Sequence, residues 1–80
     1  MMDEKKFLQI ISKCLNISKK KVSLKLKIGT LDEWDSLGHL TILTTLDKET
    51  KGKAGKLNDI ANFTSLSQLF NKLKKAKLAK

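Results

Sequence analysis

The sequence predicts an all-α domain of four helices, with a long loop between the first and second and a short third helix. Three observations predict it. Proline is absent and only four glycines occur in 80 residues, so few breakers interrupt a helical pattern. Apolar residues recur at i, i+3, i+4 and i+7 in separate stretches, the mark of helices that bury one face. Period-two alternation is confined to Leu24, Leu26 and Ile28 among Lys25 and Lys27, and a lone strand has no ladder to join. A chain of this length is one domain, residues 1–80, that buries only about 60% of its unfolded surface. One modest core is possible, but not a roomy enclosed active site as well.

The first helix is predicted over about 3–15. Asp3 and Glu4 favour its N-terminus, and Phe7, Ile10, Ile11, Cys14 and Leu15 form one apolar stripe. Asn16 tolerates the left-handed conformation that ends helices, with Ile17 packing back on the last turn. Cys14 sits on the stripe and reads as a core thiol. Being the only cysteine, it makes no internal disulfide and suits a reducing compartment. Ser18 caps a short turn through Lys19, Lys20 and Lys21 to Val22. The alternating run that follows is expected to be an extended loop tucking alternate side chains under the helices.

The second helix is predicted over about 36–50. Asp35 is its N-cap, Ser36 lies in its first turn, and His39, Ile42, Leu43 and Leu46 form its stripe, with Leu37 and Leu40 to the side. Thr41, Thr44 and Thr45 each cost roughly half a kcal/mol against alanine, so packing must hold this helix. Lys51 to Lys56 form a turn, and Leu57, Ile60, Ala61 and Phe63 suit a third helix over about 57–62. Thr64 or Ser65 caps a fourth over about 65–77, striped by Leu66, Leu69, Phe70 and Leu73. Ile42, Leu46, Leu66 and Phe70 are expected to meet between the second and fourth helices.

The formal charge is +9, and all 17 basic residues are lysine. No lysine falls between Ile28 and Asp47, a window that holds Asp32, Glu33, Asp35 and Asp47, so a basic chain presents a locally acidic face. The lysines, with Gly52-Lys53-Ala54-Gly55 matching the Gly-x-x-Gly loop of KH modules, give an alternative function, the binding of nucleic acid or anionic surfaces. That module needs a sheet the sequence does not provide, and arginine, the bidentate reader of bases and phosphates, is missing, so no specific nucleic acid is expected. No cysteine–histidine cluster suits a metal. No segment is long enough to span a bilayer, and Phe7 to Ile11 is too short for a signal-peptide core. The expectation is a soluble, cytoplasmic monomer.

The chain is organised around Glu33-Trp34-Asp35-Ser36-Leu37-Gly38-His39-Leu40. Ser36 projects at a helix N-terminus, whose partial positive charge favours an attached phosphate. Asp-Ser-Leu opening an amphipathic second helix, after a long loop, resembles the attachment site of acyl carrier proteins. The resemblance runs from the first helix to Leu73 and implies an acyl-carrier-like four-helix bundle. It implies that Ser36 is esterified to 4′-phosphopantetheine by a phosphopantetheinyl transferase, and that the arm's thiol presents acyl groups to acyl-transferring or acyl-activating biosynthetic enzymes. Asp35, Leu37 and Asp47 are then the candidates for partner recognition. Fatty-acid carriers usually have acidic residues at Gly38 and Thr41, phenylalanine at Thr50 and proline at Gly55; Trp-Asp-Ser-Leu-Gly-His-Leu is more similar to dedicated carriers of specialised biosynthetic clusters. An enzymatic use of Asp35, Ser36 and His39 would need an acid behind the histidine, an oxyanion hole and a cleft, and no catalytic residue is expected.

Overall fold

The computed structural model describes residues 2–32, 34–57 and 60–80. Glu33 of the acidic window and residues 58 and 59 of the expected third helix lie outside the described residues. The fold is all-α. Among the described residues the α-helices are α1 (Glu4–Leu15), α2 (Ser36–Glu49) and α3 (Leu66–Lys75), with 3₁₀ turns at Lys19–Lys21, Ala54–Lys56 and Ile60–Asn62.

Each helix starts on a side-chain cap. Asp3, Asp35 and Ser65 accept hydrogen bonds from the backbone N–H groups of Lys6, Gly38 and Gln68, satisfying donors that have no intrahelical partner. Each helix ends on a residue with positive φ: Asn16 at 55°, Lys51 at 56° and Lys77 at 62°. The residue after each closes a six-residue return. Ile17 N–H donates to Ser12 O at 3.1 Å, Gly52 to Asp47 O at 2.7 Å and Leu78 to Leu73 O at 2.8 Å. This is the Schellman ending. Asparagine adopts it readily, whereas lysine pays for the left-handed conformation, about 1 kcal/mol by the steric argument.

The expected third helix is not an α-helix. Ala54–Lys56 and Ile60–Asn62 each make one 3₁₀ turn, and between them Leu57 is extended, at φ −76° and ψ 134°. So short a segment fixes too few residues to repay an α-helical nucleus, and an i→i+3 turn closes with fewer. Packing and side-chain bonds fix it in place. Thr50 Oγ1 accepts from Ala54 N–H at 2.9 Å, Asp47 Oδ1 accepts from Gly55 N–H at 2.9 Å, and Ile60 and Phe63 are buried.

The alternating run finds its partner at the start of α3. Leu26 O and Leu24 O accept from Leu66 and Ser67 N–H, both at 3.0 Å, and Ile28 N–H donates to Thr64 O at 2.8 Å. The loop thus supplies acceptors to the first donors of α3 where helix geometry supplies none. Leu24 and Leu26 pack against the core, while Ile28 is exposed. The core joins all three helices: Phe7, Ile11, Ile42, Leu46, Leu66, Leu69 and Leu73 are fully buried. Ile42, Leu46, Leu66 and Phe70 belong to this one cluster, but the ring of Phe70 meets Phe7 of α1, centroids 4.9 Å apart.

Candidate functional site

Ser36 is the first residue of α2, and it is exposed. Asp35 sets it there twice over. Its Oδ1 accepts from Gly38 N–H at 2.8 Å, and its carbonyl accepts from His39 N–H at 2.9 Å. The residue before the cap is anchored instead of exposed. Trp34 is buried in the core, and its N–H donates to Leu31 O at 3.1 Å. Between Trp34 and Ser36 the chain therefore passes from interior to surface within two residues.

His39 completes the support. Its Nδ1 accepts from Trp34 Nε1–H at 3.2 Å, and its Nε2 lies 2.9 Å from Ala61 O. An indole N–H only donates, so Nδ1 is the unprotonated nitrogen, and Nε2 donates to the carbonyl. The imidazole stacks on Phe63 with centroids 4.2 Å apart at 15°, and Phe63 also meets Trp34 at 5.8 Å. Three rings thus tie the first turn of α2 to the segment ahead of α3. Both ring nitrogens of His39 are engaged, one by Trp34 and one by Ala61, and Asp35 Oδ1 holds the Gly38 N–H.

Around the serine lies an apolar surface. Leu37 is 71% exposed and Leu40 59%, and their i, i+3 spacing puts them on one face. The adjacent threonine hydroxyls turn inward: Thr41 and Thr44 Oγ1 donate to the carbonyls of Leu37 and Leu40 at 2.8 and 2.9 Å. Asp47 lies elsewhere, about 16 Å along the axis from Ser36 at the standard helical rise, half-buried, with Oδ1 on Gly55 N–H. The structure thus brings Asp35 and Leu37 together with Ser36, and sets Asp47 apart in a contact with the following turn. A Cβ at Gly55 would stand 2.5 Å from Asp47 Oδ1, so a larger residue there would have to displace the Asp47 carboxylate.

Sequence reasoning missed the roles of Trp34, Ala61 and Phe63. No local pattern announces a contact between position 34 and position 63, which lie on either side of α2 and the Ala54–Lys56 turn. Cys14 is half-buried between α1 and α2. Burial pushes its thiol up from the ordinary 9.0, opposed by a hydrogen bond with Thr45, and Sγ reaches Thr41 O at 3.9 Å.

Gly52-Lys53-Ala54-Gly55 forms a left-handed turn at Gly52, φ 84°, leading into the 3₁₀ segment. Among the described residues the β-type pairing is limited to two isolated bridges, Met2 with Ala79 and Lys27 with Ser65. No group of three or more metal-ligating side chains is found among the described residues, and none of their helices is long and apolar enough to cross a membrane. No family model, curated protein or solved structure matches the chain.

Proposed function

We propose that this chain is an acyl carrier protein whose Ser36 bears 4′-phosphopantetheine. The observation that carries the reading is an exposed serine at the first position of a helix whose entry is fixed from the core by Trp34 and by the Asp35 cap. The residues fit the group. Ser36 is exposed, and a phosphodiester there meets the positive end of the helix dipole. When attached, the group supplies a terminal thiol that holds an acyl chain as a thioester.

The chain's own residues position and present. Trp34, His39 and Phe63 keep the attachment point from shifting while the arm swings. Leu37 and Leu40 offer an apolar contact beside the serine, and Asp35, Leu37 and Asp47 are assigned to partner recognition, the acids acting more through steering than through affinity. The partners are a phosphopantetheinyl transferase and acyl-transferring or acyl-activating enzymes of fatty acid, lipid or specialised biosynthesis, met by a cytoplasmic monomer; no catalytic step is assigned to the chain. The tether raises the local concentration of the thioester at each partner.

Intact mass spectrometry after incubation with coenzyme A and a transferase tests the reading. The expected result is one added phosphopantetheine, lost in Ser36→Ala with helical circular dichroism unchanged. An alanine variant that is still loaded, or a wild type refused by several transferases, overturns it.

A further inference from the structure

At the opposite end of α2 from Ser36 the molecule holds a cavity of about 400 Å³, lined by Met2, Lys6, Glu49, Thr50, Lys51, Lys53, Lys77 and Leu78. We infer that this cavity is a binding site for the phosphate group of a small phosphorylated ligand, its lysines sharing the anionic oxygens and Met2 and Leu78 taking the organic part. The inference stands apart from the carrier reading and does not need it.

The lining contains four lysines, Lys6, Lys51, Lys53 and Lys77, and one acidic residue, Glu49. They come from three places in the chain: the first turn of α1, the exit of α2 and the exit of α3. A helix C-terminus attracts cations, and this accounts for a lysine beside α2 and beside α3. It does not account for Lys6. The first turn of α1 is the positive end of its dipole, where a cation is disfavoured, and the nearby Asp3 Oδ1 is held by the Lys6 backbone N–H at 2.8 Å. Two of the others carry a second oddity. Lys51 and Lys77 occupy the left-handed positions that end α2 and α3, at φ 56° and 62°, where glycine or asparagine is the usual choice. A residue kept in an unfavourable conformation, twice, on the rim of one cavity, points to a use for its side chain.

The chemistry of the lining selects the ligand. Ammonium groups are compact point charges with rotatable donors, without the planar fork that singles out a carboxylate. A phosphomonoester brings about −1.5 to −2 charge and three acceptor oxygens, enough to satisfy several lysines at once, whereas a carboxylate offers one charge. Thr50 adds no donor, because its Oγ1 already donates to Leu46 O at 2.8 Å. The volume falls in the range of small-molecule sites, roughly 300–1,000 Å³. At the standard rise, 14 residues of α2 separate this site from Ser36 by about 20 Å, so both can be occupied together.

The test is an amide-resolved NMR titration at low salt with inorganic pyrophosphate and, in a second arm, co-sedimentation with phosphatidylcholine vesicles containing phosphatidic acid. Saturable shifts confined to residues near 6, 49–53 and 77–78 are expected. The double variant Lys6→Gln/Lys53→Gln should weaken binding about tenfold or more, as loss of two charge-assisted contacts implies. Lys19→Gln/Lys20→Gln, equal in charge change but outside the cavity, should leave it unaltered. Lys77→Gly should weaken binding while raising the thermal midpoint, which no purely structural role of that lysine produces. Vesicle binding lost selectively in the Lys6/Lys53 variant would assign the phosphate to a lipid headgroup, and pyrophosphate binding alone to a soluble ligand. Equal weakening by both double variants, no saturable shift, or attachment to duplex DNA without localised shifts would overturn the site in favour of diffuse charge.

Discussion

Trp34 Nε1 donates to His39 Nδ1 at 3.2 Å, and this bond fixes the histidine as its Nε2–H tautomer, because Nε2 must then donate to Ala61 O at 2.9 Å. In ¹⁵N NMR the uncharged imidazole of His39 should show the proton on Nε2 and a bare Nδ1. Trp34→Phe keeps a ring but removes the donor and should destabilise by about 1 kcal/mol from the hydrogen bond, with some packing loss added. Phe63→Ala, which removes the stacking surface, should cost about 3–5 kcal/mol. A tautomer with the proton on Nδ1 would show that the clasp is not made in solution.

Asp47 and Gly55 form a pair suited to a double-mutant cycle. Gly55→Ala should destabilise, because the added Cβ meets Asp47 Oδ1 at 2.5 Å; Asp47→Ala should destabilise by leaving Gly55 N–H without its acceptor. The double variant should lose less than the two singles together, with a coupling on the order of 0.5–3 kcal/mol measured by chemical denaturation. The same geometry decides how the proposed docking role of Asp47 is examined. Asp47→Asn keeps an oxygen for Gly55 and removes only charge, so a lower transferase efficiency in that variant reports docking, whereas Asp47→Lys would mix docking with a broken turn.

Leu46 and Phe70 have almost no exposed surface. Truncating either to alanine should cost about 2–5 kcal/mol, a large share of the stability of a small domain. Thermal midpoints that barely move would show that the core does not close as described.

Cys14 carries an alkaline signature. Its thiol is pushed above 9.0 by burial, so the folded state holds the proton more tightly than the unfolded state does. That contribution to stability is present below the unfolded thiol's ordinary pKa and is lost as pH rises through the higher folded value. Stability of the wild type minus that of Cys14→Ala should therefore fall as pH rises past 9.0. Slow native reaction with a disulfide reagent, set against fast reaction in denaturant, is the companion measurement.

What the sequence made legible is local. Stripes such as Phe7, Ile10, Ile11 and Leu15 report a buried helix face because i, i+3 and i+4 neighbours share it, and Asp35 and Ser65 announce helix entries because a cap acts within three residues. Ser36 stood out for the same reason: its position relative to a cap is a matter of sequence. The non-local part was silent. Leu24 and Leu26 alternate like a strand, yet their carbonyls serve a helix some forty positions on, and nothing near either segment encodes that. The expected helix over 57–62 had apolar spacing in its favour, but its few residues settle as 3₁₀ turns. Trp34 carries no local signal of its role, and only its ring contacts and hydrogen bond reveal it as the support of the Asp35–Ser36 motif.

The acceptors that the loop lends to α3 make that helix conditional. The Leu66 and Ser67 amides are tied to Leu26 O and Leu24 O and to no carbonyl within α3. Their protection from solvent exchange is therefore a property of residues 24–26. Opening of that loop should deprotect Leu66 and Ser67 while Gln68 and Leu69, whose amides are held by Ser65 Oγ and Ser65 O, stay closed. The loop and the helix entry thus form one opening unit, and slow exchange at Leu66 measures how firmly the distant loop is seated.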